Sequence, residues 1–351
     1  MLRKLPKLQR VDALPSIGFY GWMDLKQCTL KGLRGALHFD EPLPEFGPTR
    51  AMLVGRFHHR MMELAEFLTS IEEVDTHTDL EIERLQNIVS ATPQLRRFGS
   101  VSGWDEINAS VTTTIRTVRS SSLHAPPRLP YTEIDLYSTD RLLVGRPDYF
   151  AIHSDAAELK DYKTGYLRTP EGAPIQSNVD QLRFYSALLF DNFSISSVSG
   201  TVVGLNGDRF ELLITPKDAA LVATEAKQAR AEANGLLGRD IFSLASPSST
   251  ACNHCRLQLV CSEYRSAQSE LTLDDGQILL DGRVVAKTSS SRVASMEVTL
   301  HDTVRNADVH VGIPADLAAY IDVNSSVCVT NLRQHGNRLF WGLDSRVYVH
   351  D

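Results

Sequence analysis

The chain has 351 residues, 42% of them hydrophobic and 23% charged, with a formal net charge of −7. This is the composition of a folded globular protein, and the length exceeds what one core usually serves, so two domains are expected. The acidic balance argues against non-specific nucleic-acid binding, and no apolar run approaches the roughly 20 residues of a membrane span.

The opening "MLRKLPKLQR" is basic, but no signal-peptide apolar core follows it, which predicts a soluble, cytosolic protein. Residues 1–48 are punctuated by Pro and Gly, with one helix expected around "GWMDLKQCTLKGLRGAL". "AMLVGRFHHRMMELAEFLTSIEEV" and "TDLEIERLQNIVSA" carry apolar residues at three and four spacing and predict two helices. A third helical stretch is expected over about 104–119, and "APPRLP" then breaks the chain. The period changes next. "YTEIDLYS", "RLLVGRPDYFAIHS" and "AAELKDYKTG" read as three strands of a meander. "NVDQLRFYSALLFDNF" reads as a helix. "SVSGTVVGLNGDRFELLITP" reads as a hairpin with its turn at "NGD", and "KDAALVATEAKQARAEANGLLG" as a long helix ending near Gly235. "SLASPSST" is linker-like and leads into a cysteine cluster. From about residue 268 the helical signal nearly vanishes. Five strand runs there predict a small all-β domain over 268–351, read as a barrel of the oligonucleotide-binding (OB) type. Acidic side chains outnumber basic ones in this tail, which also suits a protein-docking module.

The chemistry concentrates in "AELKDYKTG". Alternate side chains of a strand share a face, so Asp161 and Lys163 point one way and Glu158 and Lys160 the other. Asp148 trails the apolar run of "LLVGRPDYF" and is expected to end the preceding strand, one hairpin from Asp161. Two neighbouring carboxylates are costly unless a cation sits between them. Mg²⁺ or Mn²⁺ suits such hard oxygen ligands, and a lysine beside it orients water and offsets developing charge. Glu158-Leu159-Lys160 is a competing acid-x-lysine triplet. Asp161/Lys163 is preferred because Thr164-Gly165 marks the strand end, where sites open to solvent. The plain alternative is a surface hairpin with ordinary charge pairs. Arg96, Arg97, Arg116, Arg119, Arg128, Arg168 and Arg183 are candidates for a local basic groove, or are scattered surface arginines.

"LLVGRPD" followed by "ELKDYKTG" resembles the G-x-x-D and D-x-K-T-G motifs of RecB-type nucleases in the PD-(D/E)XK superfamily. "DQLRFYSALL" is similar to that family's Q-x-x-x-Y helix, with Gln181 and Tyr185 one turn apart on a shared face. "GRFHHRMMELAEF" is similar to its G-x-x-x-H helix. Four on from Gly55 is His59, with Glu63 a turn later and His58 the near miss. The motifs stand in family order over about residues 18–265. The resemblance implies an α/β fold with a mixed central sheet flanked by helices. It implies Asp148, Asp161 and His59 as metal ligands, Lys163 as the catalytic lysine, and Gln181 and Tyr185 as orienting groups. Glu133 sits where relatives often carry an acid, and also reads as an edge-strand glutamate.

"ACNHCRLQLVCSEY" spaces Cys252, Cys255 and Cys261 as C-x2-C-x5-C. Three thiolates this close need a fourth ligand, and Cys28 lies more than two hundred residues away. RecB-type nucleases of AddB and of the CRISPR-associated exonucleases show one early cysteine and three after the nuclease core. The resemblance therefore implies a [4Fe–4S] cluster on Cys28, Cys252, Cys255 and Cys261. Tetrahedral zinc on the same thiolates, with His254 able to replace one, and three unliganded buried thiols are the alternatives. Cys328 reads as a small buried apolar side chain.

The resulting expectation is a Mg²⁺- or Mn²⁺-dependent deoxyribonuclease of single-stranded or end-containing DNA, with an iron–sulfur-stapled domain over 1–265. A helicase or a recombination or defence complex is the partner class expected at the C-terminal domain, and no membrane is involved. Tyr149, Tyr162 and Phe184 are stacking or packing candidates. A non-cleaving DNA-end or partner-binding scaffold, and a zinc-stabilised nuclease acting on RNA, are the competing functions.

Overall fold

The computed structural model describes residues 3–43, 50–67, 71–91, 112–113, 130–205, 207–271, 278–289, 295–302, 307–335, 338–341 and 345–349. Arg96, Arg97, Arg116, Arg119 and Arg128 lie outside these residues. So does the stretch expected to be helical over 104–119, apart from 112–113. The chain divides into two units. One takes residues 15–19 and 48–228, and the other takes 1–14, 20–47 and 229–351.

The N-terminal segment holds β1 (Arg3–Lys4), β2 (Leu8–Val11), α1 (Phe19–Gln27), α2 (Thr29–Gly32), a 3-10 turn (Leu33–Ala36) and β3 (Leu37–Phe39). The single helix expected here is interrupted at Cys28, whose backbone is extended (φ −161°, ψ 118°). Apolar spacing continues across the break, so periodicity could not show it. The break lets the chain fold back sharply, and a Cβ at Gly32 would collide with Leu25.

The central unit carries α3 (Arg50–Phe67), α4 (Ile71–Ala91), β4 (Pro130–Thr132), β5 (Leu136–Tyr137), β6 (Val144–Gly145), β7 (Tyr149–His153), β8 (Ala156–Lys163), α5 (Gln176–Asn192), β9 (Ser197–Gly204), β10 (Arg209–Ile214) and most of α6 (Pro216–Gly235). Five strands pair in the order β10-β9-β8-β7-β4. β8 and β9 run parallel through the α5 crossover and the other pairs are antiparallel, so the sheet is mixed. The alternation of β8 assigns its two faces. Tyr162 packs with Tyr149, Ala151 and Val203 against Phe57 and Met61 of α3. On the opposite face α5 crosses Gly200, where a Cβ would sit 3.1 Å from both Leu182 and Ile214. α6 opens on Pro216 after a Thr215–Asp218 capping pair, with the Thr215 hydroxyl donating to Asp218 at 2.6 Å.

Two strand expectations need correction. "YTEIDLYS" is not one strand: β4 and β5 are separated at Glu133, whose φ is +52°. Asp148 does not end a strand. It precedes β7, because Pro147 has no N–H to continue the run from β6, which instead pairs with β5.

The rest of the chain adds α7 (Ser249–Cys252), α8 (Ser262–Ala267), β11 (Ile278–Ser289), β12 (Ser295–Asp302), β13 (Ala307–Pro314), α9 (Ala315–Ala318), β14 (Ser326–His335), β15 (Arg338–Phe340) and β16 (Arg346–Val349). β11, β12, β13, β15 and β14 pair in that order, and β14 returns to β11, closing a ring. Val298, Leu300, Val311, Ile313, Val327 and Val329 alternate into its core. A bulge between Val284 and Ala286 bends β11. β16 extends the sheet from β14, and β1 pairs with it in parallel. Cys328 is fully buried in β14. Among the described residues no helix is long and apolar enough to cross a membrane.

Candidate active site

The β7–β8 hairpin sets two carboxylates side by side. Tyr149 pairs with Lys160, so Asp148 falls one step beyond the ladder. Its Oδ2 accepts the Tyr162 amide at 2.7 Å and extends the pairing with a side chain. The hydrogen bond fixes Asp148 against the strand that carries Asp161. Asp161 is 1% exposed. Lys163 Nζ lies 2.7 Å from Asp161 Oδ2, and among the described residues no other donor reaches the Asp161 oxygens. Burial, with Asp148 adding to it and Lys163 opposing it, pushes the Asp161 carboxyl up to about 6. A carboxylate held this way is a group whose charge a bound cation would neutralise.

α3 brings His59 to the same place. His59 Nδ1 is 3.5 Å from Asp148 Oδ2. Burial works against charging this imidazole, but the carboxylates of Asp148 and Asp161 outweigh it and raise its pKa. His58 packs on Tyr162 as His59 does, with ring centres 6.1 and 6.2 Å away, but it is fully buried, and burial lowers it to about 4. Among the described residues its two nitrogens have no hydrogen-bond partner.

Glu133 joins the group. Ligand atoms of His59, Glu133 and Asp148 all lie within 4.8 Å of one another. The Glu133 amide donates to the Asp148 carbonyl at 3.4 Å, and burial, then the Asp148 and Glu63 charges, raise its carboxyl. The edge-strand reading of Glu133 hid this. The left-handed backbone that turns it toward the site is one that glutamate rarely adopts, and nothing in the local sequence signals it.

Gln181 and Tyr185 are both buried on α5, and the Gln181 amide donates to the Tyr185 hydroxyl at 3.4 Å. Tyr185 also lies over Gly145, where a Cβ would be 2.8 Å from Tyr185 Cε1 and 2.7 Å from Leu188 Cδ1. The glycine of "GRPD" therefore makes room for α5. Glu158 and Lys160 point away from Asp161: Lys160 Nζ is 3.5 Å from Glu158 and 4.2 Å from the Tyr149 ring centre. Tyr149, Tyr162 and Phe184 are buried and cannot stack on a base. Arg168 is bound into the protein through Gly172 and Arg209 carbonyls, and Arg183 has a buried Nε that finds no hydrogen-bond partner among the described residues.

The cysteines form a second centre. Cys28, Cys252, Cys255 and Cys261 are all buried, unpaired by disulfides, and line one cavity with Lys31 and Tyr264. Three of them sit at helix ends. Cys28 separates two helices, Cys252 closes α7, and Cys261 caps α8. Cys28 Sγ accepts the Ser246 amide and Cys261 Sγ the Tyr264 amide, each at 3.3 Å. Burial first, with the neighbouring thiols adding, pushes Cys255 and Cys261 up to about 11. Four converging sulfurs, two of them held as acceptors, fit a thiolate-bound metal centre. His254 is exposed and is not part of the cavity lining.

A family model described as the PD-(D/E)XK nuclease superfamily matches residues 25–262. A solved structure titled "Crystal structure of SSO0001" is 15% identical, covering 60% of this chain and 94% of that one, with a TM-score of 0.26. No curated protein matches the chain.

Proposed function

The chain belongs to the PD-(D/E)XK nuclease superfamily, and on that premise we propose a metal-dependent nuclease that cuts single-stranded or end-containing DNA. The observation that carries this reading is Asp161, a buried carboxylate beside Asp148 with Lys163 as its nearest donor. A fold stabilised for its own sake has no use for that arrangement.

We assign Asp148, Asp161 and His59 as the ligands of Mg²⁺ or Mn²⁺, with Glu133 on the His59–Asp148 side. When bound, such an ion polarises the scissile phosphate and lowers the pKa of a coordinated water. Lys163 holds the attacking water through Nζ and then offsets the charge that grows on the phosphoryl oxygens. A phosphorus–oxygen bond forms to the water and the bond to the leaving sugar oxygen breaks. The proton released by the water returns to that oxygen through solvent. Gln181 and Tyr185 orient substrate or lysine, a role supported by their mutual hydrogen bond. Backbone contact is electrostatic and salt-dependent, with little base readout.

Within this reading Cys28, Cys252, Cys255 and Cys261 hold a [4Fe–4S] cluster with a structural role, and the two amide-to-sulfur bonds support a thiolate set. Residues 268–351 act as a docking domain of the OB type. The ring order β11-β12-β13-β15-β14, with α9 between β13 and β14, supports that assignment.

The test is cleavage of end-labelled single- and double-stranded DNA with Mg²⁺ or Mn²⁺, wild type beside Lys163→Ala. Cleavage by the wild type and its loss in a folded variant is the expected result. Equal inertness of both on every substrate and metal discards the reading.

A further inference from the structure

We propose that Tyr166 is a base-stacking platform that makes this site prefer single strands, an inference that rests on the nuclease reading above. Tyr166 is 93% exposed, the highest value among the exposed large hydrophobic side chains of the described residues. It stands three residues after Lys163, so their Cα atoms are within about 11 Å of each other. The loop that carries it starts at the site. The nearest atom to a Cβ built on Gly55 is Thr164 Oγ1, at 3.9 Å, and Gly55 is one helical turn before His59.

Single exposed aromatics are common and most need no explanation. Two features set this one apart. First, the loop is rigidly built. Leu167 is buried, and its carbonyl accepts the Ile175 amide at 2.9 Å. Arg168 pairs with Pro174, and the Thr169 amide donates to Ala173 at 2.8 Å. The Arg168 guanidinium donates to Gly172 O at 3.2 Å and to Arg209 O at 3.1 Å, clamping the loop to the start of β10. A loop fixed this firmly still holds its tyrosine out in water. Second, the described surroundings are open. Among the described residues, a Cβ on Gly165 or Gly172 would meet nothing within 4 Å. The aromatics within the motifs themselves, Tyr149, Tyr162 and Phe184, are buried.

A tyrosine face accepts any base, so it adds affinity without sequence preference. It does so only for a base free of its own duplex stack. The chemistry it recognises is therefore an unpaired nucleotide next to the scissile phosphate.

The experiment measures fluorescence anisotropy of a labelled single-stranded oligonucleotide, and of its duplex, with the full chain in the Lys163→Ala background. KM with Mn²⁺ is measured in the parent. Tyr166→Ala is expected to weaken single-strand binding and raise KM by about 5- to 20-fold. Tyr166→Phe keeps both values, and duplex binding changes by less than about twofold. The exposed Tyr20→Ala serves as a control with no change. Wild-type binding by Tyr166→Ala, equal loss in Tyr166→Phe, or equal loss on duplex each overturns the proposal. If the expected binding pattern appears but no DNA is cut with any metal, the nuclease reading has failed and the platform stands.

Discussion

Lys163 Nζ lies 2.7 Å from Asp161 Oδ2, yet the two side chains live in different media: the lysine is 21% exposed and the aspartate 1%. One end of the pair reaches solvent and substrate while the other is sealed against the sheet. Lys163→Ala should therefore cost activity far more than fold. Cleavage is expected to fall by about 10²–10³-fold. Asp161 can answer the loss by taking up a proton, which limits the stability cost to about 1–3 kcal/mol. A gel assay and a thermal melt read the two effects separately.

Asp161 also predicts a pH dependence. Its folded-state pKa, pushed up to about 6 by burial, exceeds the ordinary 3.8 of an aspartate. A raised acid penalises the charged form of the folded state. The penalty is absent below about pH 4, builds between about 4 and 6, and is complete above. Asp161→Asn should thus stabilise the metal-free protein at pH 7 by about 1–3 kcal/mol and leave it unchanged near pH 4. Mn²⁺ should raise the melting temperature of the wild type but not of this variant. A variant less stable than wild type at pH 7 would contradict the buried-charge account.

Glu133 separates ligand from strain. Glu133→Gln removes the charge and keeps the backbone, and should raise the Mn²⁺ concentration needed for half-maximal cleavage by about tenfold. Glu133→Gly loses the same ligand but relaxes a φ of +52°. Its melting temperature should equal or exceed that of Glu133→Gln. Titration of both with Mn²⁺, followed by melts, decides whether Glu133 is bent for a purpose.

Two glycines of the motifs should behave oppositely. Gly145→Ala drives a methyl to within 2.7 Å of Leu188 and 2.8 Å of Tyr185, and should cost about 1–3 kcal/mol and reduce cleavage. Gly55→Ala places a methyl 3.9 Å from Thr164, an ordinary contact, and should leave stability unchanged or improved. Chemical denaturation of the two variants tests the contrast.

Serine at Cys28 should abolish the metal centre as fully as serine at Cys261, because all four sulfurs share one cavity. The wild type purified without oxygen should be brown and carry iron and sulfide, and each variant should lose both. A colourless wild type with one zinc per chain would replace the cluster with zinc.

Motif spacing carried much of this site, and backbone detail carried the rest. Alternation along 157–163 separates Asp161 and Lys163 from Glu158, Lys160 and Tyr162, but it cannot show that both faces are covered, with Leu159 and Tyr162 each 0% exposed. Only burial, which alternation does not report, removes Tyr162 from the stacking candidates. Pro147 moved Asp148 from the end of one strand to the threshold of the next, a shift that residue pattern allows but does not require. The break at Cys28 and the turn at Glu133 are conformations imposed by what the side chains must reach. Neither residue type advertises them.

The parallel pairing of Arg3 with Tyr348 and Lys4 with Val349 has a consequence for biosynthesis. β1 has no partner until β16 has been made. Residues 48–228 hold a complete sheet and its helices, so they can settle while synthesis continues. The N-terminal segment, carrying Cys28, must wait for residues 252–261 and then for β16. Removing β16 should therefore be felt first at β1, in the segment that carries Cys28.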